Sequence, residues 1–137
     1  MVANTAPIFS RQAHVSWVNG ITAANTAKDG TGTVDTVFTA DATEGSFVQK
    51  LRIRPRGTNV ATVMRIFLNN GSTNATASNN SLFDEVTLPA TTNTETAAIQ
   101  GTEISLNFPL PAGYKINVTL GTAVAGGYTV TAISGDY

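Results

Sequence analysis

The chain has 137 residues, of which 42% are hydrophobic and only 12% charged, with a formal net charge of −1 and no cysteine. That length fits one domain that buries a core without covalent staples. The balance excludes a bulk field drawing the chain to nucleic acid or membrane, a disulfide framework or thiolate metal site, and any apolar run near the roughly 20 residues of a spanning helix.

Thr, Ala, Asn and Gly fill the place of charge. A disordered chain would carry more charge and fewer β-branched and aromatic residues, so a folded chain with a polar, weakly charged surface is expected. Such a surface is cheap to desolvate, because burying a hydroxyl or amide costs far less than burying an unpaired charge. It suits a protein that spends its life against neighbours, and it also fits a soluble monomer with a Thr-rich β surface. The first residues, MVANTAPIFSRQAH, lack a basic stretch followed by an apolar run, so no signal peptide is expected. Triplets such as Asn74-Ala-Thr76 and Asn117-Val-Thr119 then read as by-products of composition rather than glycosylation sites.

Taken in chain order, residues 1–12 show no strand pattern and are read as an extended arm that laces onto a neighbour. His14 to Val18 and Thr33 to Thr39 are strand candidates. From Ser46, Phe47, Gln49, Leu51, Ile53 and Pro55 alternate with Val48, Lys50, Arg52, Arg54 and Arg56. Asn59 to Asn69 follows, then a low-complexity polar loop, Gly71 to Ser81, expected to be exposed and either mobile or ordered by a partner. Leu82 to Leu88 is short and mixed. Ala90 to Ala98 reads as a loop rather than a helical turn. Ala98 to Phe108, Tyr114 to Leu120 and Tyr128 to Ser134 complete about eight strands. Asn19-Gly20, Asp29-Gly30, Asn70-Gly71 and Gly126-Gly127 supply the positive φ of tight turns. Pro109 and Pro111 block a central ladder, so the chain breaks or crosses between sheets there. The expected fold is a single all-β domain, a β-sandwich of jelly-roll-like or Greek-key type, with a barrel as runner-up.

The sharpest local feature is Lys50, Arg52, Arg54 and Arg56. Strand alternation puts these cations on one side, with Leu51 and Ile53 packed on the other. Arg65 is expected to join them from a neighbouring strand. One reading is a solvated face that protects an edge. The other is a docking strip for carboxylates, on a second copy through Asp84, Glu85 or Glu103 or on a different protein. Nucleic acid fits less well, because no aromatics alternate with the cations along the sequence.

Catalytic and metal chemistry is sparsely supplied. His14 is the only histidine, so a zinc site is not expected. No G-x-S-x-G turn is present, although a Ser-His-Asp site is recognised by geometry rather than by counting. Asp84 and Glu85 are adjacent, and on a strand they point to opposite faces, a poor acid/base pair. Asp29-Gly-Thr-Gly leads into no helix, so it lacks the context of a phosphate cradle. Trp17 and the tyrosines are read as core or interface anchors. No cofactor, no metal and no catalytic residue are expected.

Phe108-Pro-Leu-Pro-Ala-Gly-Tyr-Lys-Ile-Asn-Val-Thr-Leu-Gly121 and Gly127-Tyr-Thr-Val-Thr-Ala-Ile-Ser-Gly-Asp-Tyr137, with Val63-Met-Arg-Ile-Phe-Leu-Asn-Asn-Gly71, carry a resemblance over about half the chain. The chain resembles small virion proteins encoded among the head genes of tailed bacteriophages, similar to capsid decoration, or cement, proteins. The resemblance implies a β-sandwich or jelly-roll domain on the capsid surface of a virion, made in the host cytoplasm. It also implies a homotrimer and, as partner, the major capsid protein, with neither nucleic acid nor membrane engaged. The leading expectation is a structural protein that stabilises the shell by bridging capsid subunits, not an enzyme. The alternatives are a receptor- or glycan-binding domain of a phage tail or adhesin, with Trp17 or Tyr114 as its aromatic, and a small hydrolase using His14 as base.

Overall fold

The computed structural model describes residues 10–137. Eight strands form: β1 (Gln12–Ile21), β2 (Asp35–Thr39), β3 (Ser46–Pro55), β4 (Thr62–Asn69), β5 (Asn80–Leu88), β6 (Thr102–Leu110), β7 (Lys115–Leu120) and β8 (Tyr128–Asp136). They make two four-stranded antiparallel sheets, ordered β1-β8-β3-β6 and β2-β7-β4-β5. The chain is thus all-β and sandwich-like. Pairing is nested: β1 with β8, β2 with β7, β3 with β6, β4 with β5. Every connection except β4–β5 passes from one sheet to the other.

The core lies between the sheets. Val48, Leu51, Ile53, Tyr128, Val130 and Ala132 of the first meet Phe38, Met64, Ile66, Ile116, Val118 and Leu120 of the second. Each fully buried aliphatic or aromatic chain contributes roughly 1.5–3 kcal/mol. The alternation read from Tyr114 to Leu120 and from Tyr128 to Ser134 holds, with Ile116, Val118, Val130 and Ala132 inward.

Four local features depart from the sequence pattern. In β3, Val48 is buried although it shares parity with Lys50 and Arg52. Gln49 is an extra residue against β8, a bulge that turns the strand over between Val48 and Lys50. The same irregularity reaches β6, where Asn107 takes a φ of 52°. Pro109 lies inside β6, paired with Phe47, and is tolerated because β6 is an edge strand; the crossing to the second sheet follows it. Asn19-Gly20 sits in a register irregularity at the end of β1 rather than in a turn, with Gly20 at φ 71°. The 71–81 loop is ordered by its own chain: the Asn74 side chain donates to the Gly30 and Gly32 carbonyls (3.1 and 2.8 Å), and Asn80 donates to Asp29 and Asn74. The arm expected at 1–12 lies mostly outside the described residues; Arg11 N–H bonds the Asp136 carbonyl (2.7 Å) and Gln12 opens β1.

Polar groups at the sheet ends fix the registers. Asp136 of β8 accepts from His14 Nδ1 of β1 (2.8 Å) and from the Ser46 hydroxyl of β3, which itself accepts Asp41 N–H (2.8 Å). At the other end the buried Asn59 side chain brackets Gly127, accepting its N–H (2.8 Å) and donating to its carbonyl (3.2 Å).

Two predictions follow from buried polarity. Asp136→Ala leaves the fully buried Ser46 hydroxyl and His14 without an acceptor; it should lower the unfolding free energy, read by urea titration, by about 2–4 kcal/mol. Burial pushes the Asp35 carboxyl up, so its charge opposes folding above the folded-state pKa, and that penalty fades as pH falls toward the unfolded value. Asp35→Asn is expected to raise the thermal midpoint at pH 7 and to leave it unchanged well below pH 3.

Candidate partner-binding face

Strand β1 is inside out. Its inward residues are the partly polar set His14, Ser16 and Val18, and its outward residues include Val15 and Trp17, 52% and 59% exposed. The inward polar groups are satisfied. Ser16 donates to the Val37 carbonyl (2.7 Å), and the His14 ring bonds Asp136 and packs on Phe38 with centroids 4.6 Å apart. A strand that buries hydrogen-bonded polar groups and exposes a tryptophan turns apolar surface outward.

Register places that tryptophan beside the cations. Across the outer face of the first sheet run the rows Trp17–Thr131–Arg52–Glu103 and Val15–Ile133–Lys50–Ser105. A further row pairs Thr129 with Arg54, and the Thr129 hydroxyl donates to Asn19 (2.9 Å). The face therefore carries an apolar column on β1, a mostly hydroxyl column on β8 and a cationic column on β3. Strands are spaced by about 4.8 Å, which puts the Trp17 and Arg52 backbones roughly 10 Å apart. The outward side chains of β1, β3 and β6 remain exposed or half-buried throughout.

Glu103 is the carboxylate within the strip, 3.4 Å from Lys50 Nζ and 3.5 Å from Arg52 Nη1. These contacts are long and solvent-exposed, so they hold the cations weakly. Arg54 lies alongside Gly101. Arg56 falls just past β3, its guanidinium against Gly20 at the rim. Four cations and one carboxylate leave a formal excess of three positive charges.

Arg65 does not join them. It lies on β4 in the second sheet, 9% exposed, with Nε donating to Glu85 Oε1 (2.8 Å). The outer face of that sheet is closed: Phe67, Asn69, Asn117 and Thr119 are all buried. The β1–β2 connection, residues 22–34, is tied to Leu120 through Asn25 N–H (2.8 Å) and to Asn74 and Asn80 at the opposite corner, so it straps this face diagonally. Among the described residues the sandwich has one strapped face and one bare one. Arg65 Nη1 and Thr119 Oγ1, opposite each other in register, are buried without hydrogen-bond partners.

His14, Asp136 and Ser46 do come together, but with the acid in the middle. Ser46 donates to Asp136, not to histidine, and is fully buried. A nucleophilic serine needs its hydroxyl on the imidazole and open to substrate, so this trio pins strands. Among the described residues no three metal-binding side chains cluster. Tyr128 lies in the core, and burial pushes its phenol up, with the nearby Asn59 side chain pulling it partly back; Tyr114 packs half-buried against the core. Trp17 is left as the exposed aromatic of the site. Sequence reading missed its proximity to Arg52 because the two are distant in the chain, and only the β1-β8-β3 order unites them.

Arg65→Met should change stability by less than about 1 kcal/mol, because burying an arginine offsets most of what its ion pair contributes. Glu85→Ala, which strands the guanidinium, should cost about 2 kcal/mol or more. Equilibrium denaturation of the two variants checks both.

No protein-family model matches the chain, and no curated protein or solved structure matches it.

Proposed function

We propose that this chain is a structural virion protein that decorates and stabilises a tailed-phage capsid by bridging major capsid subunits, working as a homo-oligomer on the shell. The observation that carries the reading is the inverted β1: an exposed Trp17 in one row with Arg52, on a sheet face that nothing in the described chain covers. Tryptophan and arginine are the residues that most often dominate protein interfaces. The nested strand pairing supports a jelly-roll-like sandwich, and the sequence resemblance to head-gene products supplies the virion setting. Lys50, Arg52, Arg54 and Arg56 meet carboxylates of the partner, and repetition over many copies converts modest contacts into avidity. Nucleic acid and membrane are not among the partners proposed.

A second reading, a glycan- or receptor-binding domain of a tail or adhesin, is favoured by one observation. Trp17 offers an open ring face beside the hydroxyls of Thr129 and Thr131.

Cosedimentation with particles lacking the protein separates the two. Wild type should bind and raise the heat resistance of the particle, and Trp17→Ala should weaken attachment at least tenfold, the order of an interface hot spot. Raising salt from 0.1 to 1 M should weaken it further, as the screening length shrinks from about 10 Å to about 3 Å. Failure to bind such particles, together with a Trp17-dependent signal on a glycan array, transfers the assignment to the second reading.

A further inference from the structure

Exposed large apolar side chains gather in two places. Val15 and Trp17 lie on β1; Leu82 and Phe83, 42% and 44% exposed, lie on β5, and Val60 stands apart. The two patches occupy opposite margins of the sandwich. β1 edges the first sheet and lies over β2, whereas β5 edges the second sheet beside β6, where Phe83 meets Phe108 with ring centroids 5.3 Å apart. The two patches of one copy lie too far apart to cover each other.

Their charges are opposite. The β1 patch shares its face with Lys50, Arg52 and Arg54. The β5 patch is flanked along the strand edge by Asp84 and Glu85, both exposed, Glu85 level with Arg65 on the outer side and Asp84 level with Ile66 on the other. Among the described residues Asp84 is engaged only by the neighbouring Glu85 N–H (2.8 Å), and Glu85 is held by Arg65 on one oxygen. β5 also carries the free backbone groups of an edge strand, interrupted at Phe83, the extra residue of a bulge against Ile66 and Phe67.

We propose that the β5 margin of one copy docks on the bare β1-β8-β3 face of the next, so that the chain associates with itself head to tail. The inference rests on the reading of the bare face as a docking surface. A two-fold contact between identical patches sets cations against cations, or Asp84 and Glu85 against their equivalents. The heterologous contact alone pairs apolar with apolar and opposite charge with opposite charge. Head-to-tail contacts of this kind close into rings when the rotation between copies permits.

The test is complementation between two exposed-site variants, followed by sedimentation velocity and light scattering. Trp17→Ala with Arg52→Glu removes the acceptor face; Leu82→Ser with Asp84→Lys removes the donor margin. Wild type should form one closed oligomer that loosens at 1 M salt. Each variant alone should be monomeric, its self-association weakened at least about tenfold, with an unchanged circular-dichroism spectrum. An equimolar mixture of the two should form a one-to-one dimer and nothing larger, because only one intact interface remains. Wild type that stays monomeric at high concentration overturns the inference, as does a mixture in which no dimer forms. If that monomer still binds particles through Trp17, the head-to-tail contact fails while the docking face stands.

Discussion

The Asp136 carboxylate ties together the parts on which the rest depends. It takes a hydrogen bond from His14 on β1 and another from Ser46 on β3, while it rides on β8. Three strands of one sheet, and the turn that begins at Asp41, are thereby fixed at one end. A strand's faces alternate with a period of two, so a slip of one residue would carry every side chain to the other side. Held in this register, β1 must bury His14 and Ser16 and expose Val15 and Trp17. The polar inner face of β1 is stable because its groups are bonded, and the apolar outer face follows from it.

From that constraint comes the asymmetry of the sandwich. The second sheet is enclosed on both sides over β7 and β4, with the core beneath and the 22–34 strap above, while β5 is left exposed at its edge. The strap owes its order to side-chain amides of Asn25, Asn74 and Asn80 that bond backbone carbonyls and tie two loops together. This is where the Asn-rich composition goes. Among the described residues the first sheet has no such cover, and its outward side chains combine a tryptophan, threonines and cations. Hydroxyls lose little on desolvation when a partner bonds them, and arginines carry geometry-specific bonds to carboxylates.

Much of the fold was legible in the sequence because its strands alternate cleanly and its turns carry glycine. Gly20, Gly30, Gly71 and Gly127 all take the positive φ that the sequence implies, and all eight strand segments appear. Three features were hidden for physical reasons. The bulge at Gln49 shows in the sequence as Val48 standing among the cations and Gln49 among the apolar residues, a mismatch of one pair that does not by itself say where the strand turns over. The orientation of β1 depends on hydrogen bonds to Asp136 and to the Val37 carbonyl, groups far away in the chain, so hydropathy alone could not say which side of HVSWV faces inward. The separation of Arg65 from Arg52 is a matter of sheet assignment, which local periodicity does not contain. Half of the site, Lys50 to Arg56, was readable as a strip; its aromatic half was not.

Trp17 is the only tryptophan of the chain, which makes its fluorescence a direct probe of whether β1 is inverted and its outer face becomes buried in use. In dilute folded protein the account predicts a solvent-like emission that acrylamide quenches readily, and a blue-shifted, protected emission once the protein is seated on its partner. A tryptophan already shielded in the dilute folded chain, or one that stays equally quenchable after attachment, would contradict it.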